Sequence, residues 1–262
     1  MKERLDKIVF SRGLVKSRET ARAFIIEGKV LVDGKKISKP GTLVSETADV
    51  VLKESDPPFA SRGGLKLDAA LDFFAVEVKD KIVMDVGSST GGFTDCLLQR
   101  GAGKVYCIDV GYGQLAWQLR TDPRVVVVER TNIRYLDSEI GEHRSKFDAR
   151  EFEDLLSGNI DMATIDVSFI SLIKVIPPVM KFLTGRGEVL ALVKPQFEVG
   201  KGEVGKGGIV REEEKRLSAV EKVRKYSEEL GLEFVGLFQC PVPGQKGNIE
   251  YFLYMKMRED GR

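Results

Sequence analysis

The chain predicts an α/β protein built on an open, mostly parallel sheet, with a small α+β domain ahead of it. Three observations carry that reading. Short apolar runs recur at 82–84, 105–108, 125–128, 162–165, 189–193, 234–238 and 251–255, giving seven strands. Most are unbroken rather than alternating, as in strands covered on both faces. Helix-like stretches separate the first six, whereas 239–248 is too short and too rich in Gly and Pro for a helix, so the seventh strand returns antiparallel. The third observation is a glycine-rich turn after the first run, Asp85-Val86-Gly87-Ser88-Ser89-Thr90-Gly91-Gly92-Phe93. Strand, tight turn and helix in that order make a backbone cradle at the ligand-binding edge of such a sheet.

Length and composition set the outer bounds. At 262 residues the chain has room for one large domain and one small, divided here as 1–58 and 59–262. The net charge is only +1, but residues 1–39 hold eleven Lys or Arg against five Asp or Glu. That excess is the footprint of a phosphate-binding surface at the amino end. Cys96, Cys107 and Cys240 are widely spaced and His143 is the lone histidine, which argues against a disulfide framework and a zinc site. Reduced thiols in a cytoplasmic protein fit better. No apolar run reaches about eighteen residues and the start lacks a secretory core, so no membrane span is expected.

In the first domain, Leu5, Ile8, Val9 and Phe10 form the apolar stripe of a short helix ending near Gly13. Ser17 caps a second helix that turns Ala21, Phe24, Ile25 and Ile26 inward and stops at Gly28. Arg18 and Arg22 lie four apart and so share an exposed face, with Lys16 adjacent. Residues 30–32 and 35–37 flank Asp33-Gly34 as a hairpin, and 50–52 completes a small mixed sheet. Two helices with a basic face beside a hairpin resemble the RNA-binding module named after ribosomal protein S-four, over residues 2–54. That resemblance implies that Arg4, Lys16, Arg18 and Arg22 touch phosphates. Residues 54–64, E-S-D-P-P-F-A-S-R-G-G, read as a linker stiffened by proline.

The glycine-rich turn is not G-x-G-x-x-G, and an acid, Asp85, stands where its strand ends. A carboxylate there repels a pyrophosphate, which seeks free N–H donors at a helix start, and suits an ammonium group instead. A second acid, Asp109, ends the next run, where it can accept hydrogen bonds from ribose hydroxyls. A nucleoside carrying a cationic amino-acid tail satisfies both, and S-adenosyl-L-methionine is such a molecule. Asp85 then holds its ammonium directly or through water, Gly87, Ser89, Gly91, Gly92 and Phe93 line its path, and Asp109 takes its ribose. Asn132, after the third run, is either an adenine contact or a turn residue.

Four ionisable residues fall where strand ends and helix starts meet. They are Lys66 in S-R-G-G-L-K-L, Asp166 in T-I-D-V-S-F, Lys194 in A-L-V-K-P-Q-F and Glu250 in G-N-I-E-Y-F. With these runs, residues 59–257 resemble the FtsJ-like ribose 2′-O-methyltransferases, whose fold is a Rossmann-like seven-stranded sheet with the last strand antiparallel. Joined to the amino-terminal module, the chain is similar to the TlyA (haemolysin A) family. The resemblance implies a Lys66, Asp166, Lys194, Glu250 catalytic tetrad, S-adenosyl-L-methionine as cofactor, and cytidine riboses of ribosomal RNA, free or in ribosomal subunits, as substrate. The linker departs from some members in lacking their aromatic-valine segment.

A ribose hydroxyl must lose its proton as it attacks a sulfonium methyl, so Lys194 is the expected base or holder of that oxygen. A neutral lysine needs burial or a nearby cation, which Lys66 can supply. Asp166 then orients Lys194, and Lys66 with Glu250 positions the ribose. Phe169 either stacks on a base or packs in the core, with the core favoured. The loop 200–208, rich in Gly and Lys, either flanks the RNA groove or is simply solvated.

Overall fold

The computed structural model describes residues 2–15, 17–26, 28–52, 58–136, 151, 153, 155, 157–200 and 202–258. The chain divides into two compact units, Met1–Pro58 and Phe59–Arg262.

In the first unit, strand β1 (Lys2–Arg4) leads directly into helix α1 (Leu5–Ser11), followed by α2 (Arg18–Ile26). The Ser17 hydroxyl accepts from the Thr20 amide at 3.1 Å, satisfying one donor of the first turn of α2. Strands β2 (Val30–Val32) and β3 (Lys35–Lys36) form the hairpin. Asp33 and Gly34, at φ 48° and 75°, both take the left-handed conformation that a tight hairpin turn requires. Strand β4 (Leu43–Ser45) pairs with β1, and β5 (Val50–Leu52) pairs with β2. Both small sheets are wholly antiparallel, not mixed. Leu5, Ile8, Val9 and Ile25 are buried, but Phe10 is exposed and so is Ile26. Each follows the last inward residue by one position, and a step of one turns a helical side chain about 100° away from the core face.

The second unit opens with α3 (Arg62–Phe74), capped by Ser61. The stretch expected as linker lies partly outside the described residues, and Arg62, Gly63 and Gly64 are already its first helical turn. Strands β6 (Ile82–Val86), β7 (Lys104–Ile108), β8 (Val125–Val128), β9 (Ile160–Ile165) and β10 (Leu183–Val193) run parallel. Strands β11 (Leu232–Gln239) and β12 (Tyr251–Met257) complete a seven-stranded sheet in the order β11-β12-β10-β9-β6-β7-β8. β12 is antiparallel to both neighbours and is inserted between β10 and β11. Helix α4 (Gly92–Gln99) follows β6, and α5 (Trp117–Arg120) precedes β8. The short α6 (Ile176–Met180) and α7 (Pro195–Glu198) bracket β10, and α8 (Glu213–Glu229) precedes β11.

Strand periodicity splits the core in two. Met84, Val86, Ala163 and Ile165 face one layer, while Val83, Met162, Leu190 and Phe252 face the other, beneath α3 and α4. The same alternation extended two residues beyond Thr164, Leu192 and before Phe252 puts Asp166, Lys194 and Glu250 on the α3 side. That parity builds the site.

Candidate active site

Lys66 and Glu250 meet across 184 residues of sequence, Nζ to Oε2 at 2.6 Å, with both side chains buried. Lys194 Nζ stands 2.5 Å from Asp166 Oδ1 and donates to Ser168 Oγ at 3.0 Å. The contact with Asp166 is a close ionic approach rather than an aligned hydrogen bond, for Oδ1 is buried without one. All four side chains line one cavity of about 370 Å³, together with Gly87, Ser89, Gly92, Phe93 and Gln196.

A second cavity, of about 870 Å³, is lined by Gly87, Ser89, Asp109, Gln114, Asn132, Asp166 and Phe169 among others. It is within the size range of small-molecule sites. The two cavities share Gly87, Ser89, Asp166, Ser168 and Phe197 as a common wall. Gly87 is indispensable to that wall. Its φ is +87°, and a Cβ there would lie 2.5 Å from the Asp166 carbonyl oxygen. Gly92 serves a different contact, since a Cβ on it would strike Ser61 Oγ at 2.2 Å where α4 meets α3. Gly91 supplies the N-cap of α4 and lines neither cavity. Phe93 is almost wholly buried against Phe252, with ring centroids 6.0 Å apart.

Asp109 accepts from the amides of Ser89 at 2.8 Å and Gly111 at 2.7 Å. These bonds hold its carboxylate at the rim and leave further lone pairs for a ligand. Asn132 is both things at once. Its Oδ1 accepts from the Arg134 amide at 3.2 Å as a cap, and the residue lines the larger cavity.

Asp85 departs from expectation. It lies inside β6 rather than at its end, is fully buried, and lines neither cavity. Its alternation places it beneath α4, where it accepts from Thr94 Oγ1 at 2.6 Å and Thr164 Oγ1 at 3.4 Å. Burial pushes its carboxyl up to about 7 against the pull of the Thr94 bond, and the charge of Asp166 adds to the rise. Asp85 thus stands behind the cavity walls, with its hydrogen bonds running to the two threonines.

Phe169 departs further. Instead of packing in the core it is 88% exposed, at φ +63°, with its ring 5.1 Å from that of Phe197. A bulky residue in that conformation costs about 1–2 kcal/mol, so its surroundings must impose it. The 200–208 loop contributes to neither cavity, and Lys201 lies outside the described residues. In the first unit Arg4 and Arg18 both engage Asp6, which is wholly buried. The Arg4 hydrogen bond, with help from Arg18, holds that carboxyl below its usual range despite burial. Arg22 is exposed, and Lys16 lies outside the described residues.

Sequence reasoning missed Ser168, Asp6, Phe197 and Gln196. Ser168 and Phe197 stand two and three residues past the strand-end Asp166 and Lys194, so proximity to those ends was the available signal. Among the described residues no cluster of His, Cys, Asp or Glu is placed to hold a metal, and no helix is long and apolar enough to cross a membrane.

The sheet order with its inserted reversed strand, and the twin cavities at the carboxyl ends of the parallel strands, define a methyltransferase fold of the seven-stranded α/β type. Residues 59–257 match the FtsJ-like methyltransferase family, and residues 3–51 match the S4 domain. The chain is 45% identical over 258 residues to the 16S/23S rRNA (cytidine-2′-O)-methyltransferase TlyA of Mycobacterium tuberculosis, covering 98% of this chain and 91% of the relative. It is 38% identical over 251 residues to Hemolysin A of Brachyspira hyodysenteriae, covering 96% of this chain and 98% of that one. A solved structure from Streptococcus thermophilus, of a protein carrying the name hemolysin, superposes with a TM-score of 0.69 at 39% identity, over 98% of this chain and 89% of that one. The chain belongs to the TlyA family of FtsJ-like methyltransferases.

Proposed function

We propose that this protein methylates the ribose 2′-hydroxyl of cytidine in ribosomal RNA, using S-adenosyl-L-methionine. The observation that carries the reading is the pair of adjoining cavities with the Gly87–Ser89–Asp166 wall between them. One is a nucleoside-sized, acid-rimmed pocket, and the other holds two lysine–carboxylate pairs. Bound in the larger cavity, the cofactor would supply an electrophilic methyl on a sulfonium centre. Asp109 would hold its ribose and Asn132 its adenine, with Gly87 and Ser89 lining the approach; the close fit of Gly87 against Asp166 supports that cradle.

In the smaller cavity Lys194 takes the proton that the ribose hydroxyl loses. Its nitrogen already lies against Asp166 and Ser168, so Asp166 can accept one ammonium proton as the hydroxyl proton arrives. Lys66 and Glu250, paired in the same cavity, orient the ribose. Most of the acceleration comes from holding the reacting atoms in line at about 3 Å. Phe169, exposed on the wall of the larger cavity beside Phe197, which lines both cavities, offers a ring on which the target base can stack.

The test is methyl transfer from labelled cofactor to ribosomal RNA, with ribose-methylation mapping of the product. Lys194→Ala is expected to lower the single-turnover rate at saturating RNA by about 10²- to 10⁴-fold, with cofactor affinity nearly unchanged. Near-normal single-turnover methylation by that variant would remove Lys194 from the proton's path.

A further inference from the structure

Asp166 and Lys194 stand at the ends of different strands, and the segments that follow, irregular after Asp166 and the short helix α7 after Lys194, each carry one ring of the Phe169–Phe197 pair. Something must hold those segments in register, because Phe169 is strained and almost wholly exposed. The residue placed to do so is Glu198, the last of α7 and only 4% exposed. Its Oε2 accepts from Ser171 Oγ at 2.5 Å, and its Oε1 accepts from the Leu172 amide at 2.8 Å. Its own backbone carbonyl accepts from Lys222 Nζ of α8 at 3.1 Å, anchoring the acid from behind. The same Ser171 hydroxyl caps the next turn by accepting from the Ile173 amide at 3.3 Å.

One carboxylate therefore grips the chain two and three residues after Phe169 while sitting one residue after Phe197. It touches neither cavity and takes no part in the proton path. We infer that Glu198 is a positioning residue: it ties the segment after Asp166 to the segment after Lys194, and so fixes the Phe169–Phe197 platform for the target nucleotide. The inference rests on the reading of Phe169 as a base platform given above.

The experiment is a double-mutant cycle on the full chain, with turnover on ribosomal RNA as the readout. Phe169→Ala alone should lower kcat/KM for RNA by about 5- to 150-fold, the range of base–aromatic stacking. Glu198→Ala should lower it comparably, and adding Phe169→Ala to it should cost no more than about 3-fold further, because a misplaced ring has little left to lose. Glu198→Gln should recover most of the loss, since its amide can still accept from Leu172 and donate to Ser171. Should Glu198→Ala fail to fold, Ser171→Ala breaks one of the two bonds and should show the same non-additivity with Phe169→Ala. A generally weakened fold would instead leave the effects additive. Additive losses therefore overturn the role of Glu198 while leaving the methyltransferase reading intact. If Phe169→Ala is as active as the parent, the platform falls and Glu198 with it. If the parent chain transfers no methyl to ribosomal RNA, it is the functional reading that has failed.

Discussion

Asp85 and Glu250 are both buried acids on the α3–α4 side of the sheet, yet only one has a cation beside it. Glu250 is matched by Lys66, while Asp85 has two threonine hydroxyls. The difference predicts how stability responds to pH. An unfolded aspartate releases its proton near pH 3.9, whereas the folded Asp85 holds it to about 7. Through that window the folded chain binds the proton and the unfolded chain does not, so Asp85 makes stability fall as pH rises, levelling off above 7. Asp85→Asn should remove this slope, an effect on the order of a few kcal/mol at about 1.4 kcal/mol per tenfold change in proton affinity. Thermal unfolding of parent and variant at pH 5 and pH 8 checks it, and equal pH slopes would show that the acid ionises freely. Asp85, Phe169 and Asp6 were also the residues whose environment the sequence concealed. An apolar run reveals that a strand is covered, but not that a particular acid within it lies under Thr94. Nor does it reveal that an aromatic past the strand end points outward.

The strand-to-helix turns were the legible elements, because two periodicities constrain them at once. A residue one step past a buried strand inherits that strand's alternation, so Asp166 and Lys194 could be assigned to a shared edge from spacing alone. Glycines were harder to interpret, since the same residue type permits a turn or a close approach. The pair Gly63 and Gly64 looked like a linker hinge, but a Cβ on Gly64 would meet Phe59 at 2.3 Å, so it is a packing glycine inside α3. Gly87 combines both demands, with a left-handed backbone and the Asp166 carbonyl against its face. Gly87→Ala should therefore displace the β9 end from the β6 turn, costing about 1–3 kcal/mol of stability and at least about tenfold in cofactor affinity. Calorimetric titration alongside thermal melting measures both, and a variant that binds cofactor normally would mean the wall is not where the ligand sits.

At the scale of the molecule, charge and topology divide the labour. The basic excess of the first unit is spent partly inward, since Arg4 and Arg18 share the buried Asp6, while Arg22 stays exposed. If Arg22 meets a phosphate, Arg22→Ala should weaken RNA binding and flatten the log–log salt dependence by about 0.7 to 0.9, the release of one counterion. Binding titrations from low to moderate salt measure the slope, and an unchanged slope would place that arginine off the RNA. The broad architecture was readable from seven apolar runs and one missing helix. What could not be read was that β12 is wedged between β10 and β11 rather than laid outside them. That insertion has a temporal consequence. While such a polypeptide is still emerging from the ribosome, β10 and β11 have no neighbour to join them, and Lys66 waits for an acid 184 residues away. The strand that joins β10 to β11 thus also brings Glu250 to Lys66, so the sheet and the smaller cavity are completed together.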